Sequence, residues 1–323
     1  MIRKSSLAAA TLLTICCILL LACGHNNNNQ VFDSPIKGII NISVDESFKP
    51  VIEQEIKVYE GSYPNTQIIA HYKPEAECVK DMLYDSATRM VIITRGLNTK
   101  EEHYFLDSLS YVPLNNAIAT DAVTIVVNGS STDTVFSTER LRNILSTPTI
   151  DTTKKIFAKA APERKLVVFD GLKETSTVRF TIDSILHGGN FDTSVVKAVK
   201  TSRDVLEYVA NNPNAIGFVG LSWIGNPEDS SQRNMLKKVK IAYVQCDKCS
   251  DSVYVKPTQD GILSQRYPLV RGLYYIVKEN YLGLGTGFAN FLQYERGQLI
   301  FRRAYIWPKM EFSVRNVKMN QKL

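Results

Sequence analysis

An apolar run, a short polar turn and the start of a helix follow one another at residues 39–48, which read IINISVDESF. The β-branched first half of this segment predicts a strand, and apolar residues then recur at helical spacing from Phe48 to Tyr59. The same order returns at residues 90–100 and again at residues 165–182. Short strands that alternate with amphipathic helices predict parallel sheets in an α/β protein.

The rest of the chain continues this alternation. Thr201 and Asp204 have the spacing of a capping box at the start of one helix. The last helix is predicted as one continuous segment with Gly297 as its weak point. The remaining strands are predicted at residues 67–72, 117–127, 216–219, 239–244 and 269–277, and the remaining helices at residues 75–84, 138–145 and 286–303. No internal repeat is present, which argues against a repeat architecture.

The N-terminus predicts a lipoprotein leader. Arg3 and Lys4 precede an apolar run at residues 7–21, which is about the length of a signal peptide's apolar region and short for a bilayer span. The run ends in LLAC at residues 20–23, which resembles the bacterial lipobox. In that motif the cysteine receives a diacylglyceryl group and becomes the first mature residue, so we expect Cys23 to be lipidated.

The alternatives are an ordinary signal peptide, in which Cys23 is incidental, or an uncleaved anchor. Residues 24–30 are polar and of low complexity, which is typical of a flexible tether and favours the lipoprotein. We therefore expect residues 1–22 to be a signal peptide and residues 23–30 a tether. The protein would then lie in the cell envelope, anchored in the membrane by lipid and facing the periplasm or the exterior.

Length and charge limit the function. The 323-residue chain loses 22 residues with this leader, and the remaining 301 residues typically form two domains. The formal charge falls from +6 to +4, because two basic residues leave. The positive charge is spread without a dense Lys/Arg block, so we expect no nucleic-acid binding. A small positive excess suits an anionic ligand in a cleft.

Three cysteines lie beyond the leader and the lipidation site, namely Cys78, Cys246 and Cys249. They permit at most one intramolecular disulfide, and the envelope is a compartment in which a disulfide persists. Cys246 and Cys249 have the C-x-x-C spacing, but they follow a predicted strand and enter a loop, unlike a redox motif. We expect a local loop disulfide or two plain thiols.

The three strand–turn–helix units carry groups that suit an anion. Ligands of open α/β sheets lie beyond the carboxyl ends of the strands, where helix N-termini present free N–H groups and partial positive charge. Ser47, Thr94, Ser176 and Thr177 would add hydroxyl donors, and Arg95 a bidentate charged pair. Ser and Thr at such positions more often only cap helices. Three such turns in one chain favour an anion site.

Three carboxylates, Asp45, Glu46 and Asp170, lie in the same turns. They would repel a fully ionised anion in a dry site. A protonated oxyanion such as monohydrogen phosphate donates to a carboxylate, whereas sulfate does not, so one such carboxylate would select phosphate-like ligands. Alternatively, these acids face solvent at helix starts, where the helix dipole favours them. The sequence leaves both interpretations open.

Patterns for metal binding and catalysis are weak. His71, Glu75, Glu77 and Cys78 match no established metal motif, and acids at a helix start explain them better. The histidines show no nucleophile–base arrangement. We therefore expect no metal, no cofactor and no catalysis.

Six segments carry a resemblance to a known family: Ser47-Phe48, Met90–Arg95, Ala119–Asn128, Thr175–Arg179, Ala215–Gly220 and Tyr267–Arg271. Their order and spacing resemble the phosphate-binding proteins of ABC phosphate importers, in the type II periplasmic-binding-protein superfamily. Residues 175–179 resemble the family's Ser-Gly-Thr-Arg helix start, which holds the anion. Two positions depart from the family's pattern. Where the family has a basic residue just upstream of this motif, this chain has Phe169 or Leu172, and where it has an Asp at the start of the second strand, this chain has Arg89.

The resemblance implies an α/β, two-lobed fold of type II with the ligand cleft between the lobes. One lobe would contain residues 31–112 and 279–323, and the other residues 113–278. Binding would close the lobes by a hinge motion. The ligand residues implied are Ser47, Phe48, Thr94, Arg95, Thr175, Ser176, Thr177 and Arg179.

We therefore expect a monomeric, lipid-anchored solute-binding protein that captures a small oxyanion, with phosphate as the expected ligand. Its partner would be an ABC permease in the membrane. One alternative is an envelope lipoprotein of the same fold that senses or scavenges a small organic anion, or docks another envelope protein, without transport. An envelope hydrolase is a second alternative, which the missing nucleophile–base pattern disfavours.

Overall fold

The computed structural model describes residues 33–146 and 165–310. The leader, Cys23 and the tether lie outside the described residues, as do the two ends of the first predicted lobe, residues 31–32 and 311–323. In the described part, none of the helices combines the length and the apolar character that a bilayer crossing requires.

Thirteen strands are described within these ranges. In chain order they are β1 (Lys37–Asp45), β2 (Asn65–Lys73), β3 (Thr88–Ile93), β4 (Leu114–Asn128), β5 (Val135–Phe136), β6 (Leu166–Phe169), β7 (Val196–Ala198), β8 (Ala215–Gly220), β9 (Val239–Ile241), β10 (Tyr243–Gln245), β11 (Tyr254–Val255), β12 (Val270–Val277) and β13 (Trp307–Pro308).

The α-helices described in the same ranges are α1 (Lys49–Ser62), α2 (Glu75–Tyr84), α3 (Thr99–Leu109), α4 (Thr138–Leu145), α5 (Ser176–Ser184), α6 (Ser202–Asn211), α7 (Ser230–Met235), α8 (Gln259–Leu263), α9 (Leu284–Gln293) and α10 (Glu295–Arg303). Two short 3₁₀ turns, Glu46–Phe48 and Leu221–Trp223, follow β1 and β8.

One large mixed sheet has the strand order β2-β1-β3-β12-β4-β8-β6-β7. β1 pairs in parallel with β2 and β3, and β6 pairs in parallel with β7 and β8. The centre is antiparallel, because β12 runs against both β3 and β4, and β4 runs against β8. The α/β fold predicted from the alternation is confirmed, with parallel pairing at both ends of the sheet.

β4 belongs to two hydrophobic cores. The first half of the strand pairs with β12, from Leu114 opposite Val277 to Ala122 opposite Val270. Its second half pairs with β8. Ile118 packs into one core with the aromatic rings of α1 and α9, whereas Val123, Ile125 and Val127 pack into another with β6 and β8. A single strand therefore links both halves of the sheet.

Helices cover both faces of the sheet, which explains the continuous apolar runs of its strands. On β3, Met90 and Ile92 enter the core beneath α1, while Val91 and Ile93 point the other way and pack with residues of α2 and α3. Successive side chains of a strand alternate between faces. Each fully buried apolar side chain contributes about 1.5–3 kcal/mol.

The last predicted helix is two helices in the structure. α9 and α10 meet at Tyr294, whose backbone is extended, with φ −100° and ψ 175°. The side chain of Gln298 donates to the carbonyl of Leu292 at 2.6 Å and so satisfies a group at the end of α9. A Cβ on Gly297 would come within 2.4 Å of the Phe291 carbonyl oxygen, so α10 packs on α9 only with glycine there.

Other local predictions agree with the structure. Thr201 and Asp204 form the predicted capping box at the start of α6. Cys246 and Cys249 are joined in a disulfide, so of the two alternatives the local loop disulfide is correct and the pair of plain thiols is not. Cys78 is free and buried.

Candidate ligand site

Arg271 lies at the centre of a buried polar cluster, with 6% of its surface exposed. Its Nε donates to Oδ2 of Asp121 on β4 at 2.9 Å, and Nη2 lies at the same distance from that oxygen. Nη1 donates to Oγ of Ser176 at 2.8 Å. The guanidinium carbon lies 4.9 Å from the centre of the Phe48 ring. The guanidinium of Arg271 on β12 therefore lies at the N-terminus of α5.

Two hydroxyls from different strand–turn–helix units meet beside this charge. Oγ of Ser47, in the turn after β1, lies 3.2 Å from Oγ of Ser176, the first residue of α5. The carbonyl of Ser47 accepts a hydrogen bond of 2.7 Å from Ser222. A Cβ on Gly220 would come within 2.9 Å of that carbonyl and 3.0 Å of Arg271, so glycine permits this close approach.

The carboxyl group of Asp45 lies directly against the two serines and is only 2% exposed. Its Oδ1 accepts from the Ser47 hydroxyl at 3.0 Å, whereas its Oδ2 has no hydrogen-bond partner among the described residues. Burial raises the pKa of Asp45 to about 7, although the positive charge of Arg271 opposes this shift. The group therefore exchanges a proton near neutral pH and keeps one acceptor oxygen free.

A second pair of carboxyl groups shares one hydroxyl. Oγ of Ser202, at the start of α6, lies 2.7 Å from Glu46 Oε2 and 3.0 Å from Asp170 Oδ2. A serine hydroxyl has one hydrogen to donate, so both contacts are hydrogen bonds only if one carboxyl is protonated. Burial raises the pKa of Glu46 to about 7, and burial raises that of Asp170 as well.

A third polar cluster joins α2, β3 and α5 around Glu75. Nε of Arg179 donates to its Oε2 at 2.7 Å, and Nη2 donates to the hydroxyl of Thr94 at 2.5 Å. Both the backbone N–H and the hydroxyl of Thr94 donate to Glu75. Burial alone would raise the pKa of Glu75, but Arg179 and Thr94 outweigh it and hold that pKa below its ordinary value.

Arg95 lies outside these clusters. Its guanidinium makes two hydrogen bonds of 2.7 Å with the carboxylate of Glu101. Glu101 in turn closes a capping box with Asn98 at the start of α3.

The predicted ligand residues therefore fall into five groups. Ser47, Phe48 and Ser176 surround Arg271, and Thr177 lies 3.3 Å from Asp170. Thr175 caps α5 by accepting from the Val178 N–H at 3.4 Å. Thr94 and Arg179 hold Glu75, and Arg95 holds Glu101.

Sequence reasoning missed Arg271, Asp121, Ser202 and the role of Glu75. One signal was available for the first two, since each is a charged residue inside an otherwise apolar strand. Such a residue is seldom fully buried unless it is paired. Asp45 and Asp170 are buried, so neither of them faces solvent at its helix start. Over the described residues, no group of His, Cys, Asp and Glu is arranged to hold a metal ion.

The polar side chains buried at the strand ends of this mixed α/β sheet form a candidate site for a small solute. The model of the PBP (periplasmic-binding-protein) superfamily domain matches residues 30–296. The chain belongs to this superfamily, as its predicted resemblance indicated. A search of curated proteins gives no match.

Solved structures with this fold include several from phosphate transport. A Clostridium perfringens protein, solved with bound phosphate and ascribed to a phosphate ABC transporter as its substrate-binding protein, is 18% identical, with a TM-score of 0.64; the match covers 84% of this chain and 100% of that one. An ABC-type phosphate transport receptor from Vibrio cholerae is 17% identical, with a TM-score of 0.58 and coverage of 83% and 99%. At this identity the likeness shows the fold.

Proposed function

We propose that this protein is a lipid-anchored, extracytoplasmic solute-binding protein that captures phosphate and delivers it to an ABC permease. It catalyses no reaction. The observation that carries the proposal is the buried cluster of Arg271, Ser47 and Ser176 beside the free acceptor oxygen of Asp45.

The donors of this cluster suit a tetrahedral oxyanion. Arg271 supplies a charge-assisted donor, and Ser47 and Ser176 supply hydroxyls. The first N–H groups of α5, at Ser176 and Thr177, add donors and the positive end of a helix dipole. On opening, the contacts of Ser176 with Arg271 and with Ser47 would be exchanged for contacts to the ligand.

Asp45 supplies the selectivity. Above the Asp45 pKa of about 7 the group is a carboxylate, to which a monohydrogen oxyanion donates its O–H, whereas sulfate leaves that buried acceptor unpaired beside a negative ligand. The phosphate-transport proteins that share the fold support the same choice of ligand.

The cleft would lie between a lobe of residues 31–112 and 279–323 and a lobe of residues 113–278. At the polar clusters, the contacts between these parts of the chain include Ser222 to the Ser47 carbonyl, Ser202 to Glu46, and Arg179 to Glu75. They would break as the lobes open by a hinge motion. Thr94 and Arg179 would therefore act by holding the closed form through Glu75.

Calorimetric titration with phosphate, sulfate and citrate tests the proposal. The full chain is expressed with its own leader and freed of ligand by mild unfolding and refolding. We expect heat with phosphate only. Arg271→Lys and Ser176→Ala should each weaken binding by about 10- to 100-fold, since a hydrogen bond to a charged group contributes roughly 1.5–3 kcal/mol.

Arg95→Lys belongs to the same series and decides whether Arg95 serves the ligand or only Glu101. Folding of every variant is checked by circular dichroism. A folded protein that gives no heat with any of the three anions would overturn the phosphate proposal. Heat with citrate alone would favour an organic anion. Mass spectrometry of the mature N-terminal peptide tests the lipid anchor separately, because it must carry acyl groups on Cys23.

A further inference from the structure

A second surface, far from the ligand cluster, exposes large apolar side chains. Among the described residues, 21 large apolar side chains are exposed, and eight of them lie in four short segments at residues 33–39, 84–88, 109–114 and 278–283. Leu282 is 76% exposed and Tyr84 is 69% exposed. We name this surface the apolar pole and define it by Ile36, Ile39, Tyr84, Leu114, Tyr281 and Leu282.

Asp33 ties the first segment to the last. Its carboxylate accepts hydrogen bonds from the Tyr281 hydroxyl at 3.0 Å and from the Leu284 N–H at 2.9 Å. It also pairs with Arg89 at 2.8 Å. Asp33, the first residue that the structure describes, is therefore held within the apolar pole.

Lys278 ties the other two segments to the same place. Its Nζ donates to the carbonyl of Asp85, next to Tyr84, at 2.6 Å. Its own carbonyl accepts from the hydroxyl of Tyr111. Leu114 is paired with Val277 in the sheet, directly before Lys278. These contacts bring all four segments together at one end of the sheet.

The charges of the apolar pole are largely neutralised within it. Arg89 pairs with both Asp33 and Glu279, and Lys278 is bonded to backbone carbonyls. The exposed side chains of the four segments are Ile, Leu, Val and Tyr, together with Lys37, Ser86, Ala87, Ser110 and Asn280. Leucine and isoleucine favour the bilayer's apolar edge, and tyrosine favours the headgroup level.

The proposed lipid anchor brings this surface close to a bilayer. Asp33 is only the tenth residue after Cys23, and ten residues span at most about 35 Å. A tether of that length also gives a weak surface contact a high effective concentration. We propose that the apolar pole rests on the lipid bilayer; the inference depends on the anchor in the proposed function.

The resting position aims the ligand site away from the membrane. β1 carries Lys37 at the apolar pole and Asp45 at the site, and its eight steps span about 26 Å at ~3.3 Å per residue. A chain resting on the apolar pole would hold its cleft open to the envelope fluid. It would have to leave this position to reach a permease.

Quenching by brominated lipid tests the contact. The full chain is reconstituted in vesicles of phosphatidylethanolamine and phosphatidylglycerol whose acyl chains are brominated. Leu282→Trp and Tyr84→Trp place a fluorophore on the apolar pole. Leu263→Trp is the matched control, an exposed leucine (53%) at the end of α8. The fluorescence of the wild type, with Trp223 and Trp307, is subtracted.

We expect the tryptophans at 282 and 84 to lose fluorescence in brominated vesicles while the tryptophan at 263 keeps it. Equal quenching at all three positions, or none, would overturn the proposal and leave the surface to a protein partner. Phosphate titration of the same variants shows whether the site is intact. If Cys23 carries no lipid, the lipid anchor is disproved separately from the membrane contact. The same variants are then added to an excess of the brominated vesicles. Unquenched fluorescence of L282W in that experiment would overturn the membrane contact.

Discussion

At the scale of single residues, the candidate site depends on the buried positive charge of Arg271 on β12. Arg271 donates a hydrogen bond to Ser176 from a buried position, and Asp121 on the neighbouring strand compensates its desolvation. A buried ion pair of this kind adds little net stability, but removing one partner leaves an uncompensated charge. In the proposed function, Asp121 would therefore be a positioning residue for Arg271.

Asp45→Asn is expected to relax the selectivity of the site. An amide always has an N–H to donate, so the variant can satisfy sulfate at pH 8, whereas the wild-type group is then ionised, only accepts, and is left unpaired beside sulfate. The ratio of phosphate to sulfate affinity should fall by about 10-fold or more, the cost of an unmade buried hydrogen bond. Competition calorimetry measures both constants, with the exposed Asp107→Asn as the control. An unchanged ratio would remove Asp45 from the ligand.

Glu55→Met is expected to stabilise the protein at neutral pH. Glu55 is fully buried on α1, neither carboxyl oxygen has a partner in the described part of the chain, and burial raises its pKa well above the ordinary 4.5. Below pH 4.5 it is protonated in both states and costs nothing through ionisation. Above that value only the unfolded chain ionises, so the wild type loses about 1.4 kcal/mol per pH unit until its folded pKa is reached.

Urea denaturation at pH 5 and pH 8 measures this effect. The advantage of E55M should grow with pH, whereas Glu53→Met, on the exposed face of the same helix, should change stability by less than about 0.5 kcal/mol. An advantage that is the same at both pH values would assign the gain to packing alone.

The site was only partly predictable at this scale. The hydroxyls at 47 and 176 follow strands directly, so local sequence finds them. Arg95 has the same local pattern, but Glu101 six positions later competes for its guanidinium. Arg271 reaches Ser176 from 95 positions away, a distance over which no local pattern operates.

At the scale of elements, the loop between β10 and β11 depends on its disulfide. Reducing the bond between Cys246 and Cys249 should lower the free energy of unfolding by about 2 kcal/mol, the loop-entropy value for so short a loop. Phosphate affinity should not change, because the loop contributes no residue to the ligand cluster. Urea denaturation with and without reductant measures the first effect, and Cys246→Ala/Cys249→Ala, which has no bond to reduce, is the control. Lost phosphate binding on reduction would link the loop to the site.

Elements whose pattern is local were predictable. The helix predicted at residues 138–145 is α4 to the residue, and the strand predicted at 39–44 lies inside β1. The break between α9 and α10 was not, because apolar spacing continues across Tyr294. It is made by Gln298 and by the close approach at Gly297, both of which are tertiary contacts.

At the scale of the molecule, closure of the lobes is expected to take up a proton at Glu46. Burial, together with the nearby charges of Asp170 and Asp45, raises the pKa of this group from its ordinary 4.5 to about 7 in the described structure, which the proposed function takes as the closed form. Its contribution to closure is complete below pH 4.5 and is lost as pH rises through 7. Phosphate affinity should fall between pH 5 and 7 by up to about 10-fold per unit from this group, and then level off.

Glu46→Gln removes this dependence while keeping the contact to Ser202. The ratio of variant to wild-type affinity, measured by calorimetry from pH 5 to pH 8, cancels the ionisation of phosphate itself. It should rise with pH and reach a plateau above 7. A flat ratio would show that closure takes up no proton there.

The order of the strands in the sheet was the feature least predictable from the sequence. The α/β class follows from the alternation of elements, but the order β3-β12-β4-β8 does not. It places strands side by side that are separated by more than a hundred residues, and each of these strands is apolar enough to fill any central position.

The pairing of β4 with β12 has a consequence for biogenesis. Ala122 on β4 pairs with Val270 on β12, which lies 148 positions later in the chain. A polypeptide that crosses a membrane N-terminus first cannot complete the middle of its sheet until most of its length has emerged. Such long-range pairing slows folding. If the chain is exported as proposed, it would therefore remain unfolded during passage and would need protection from aggregation until its C-terminal strands have emerged.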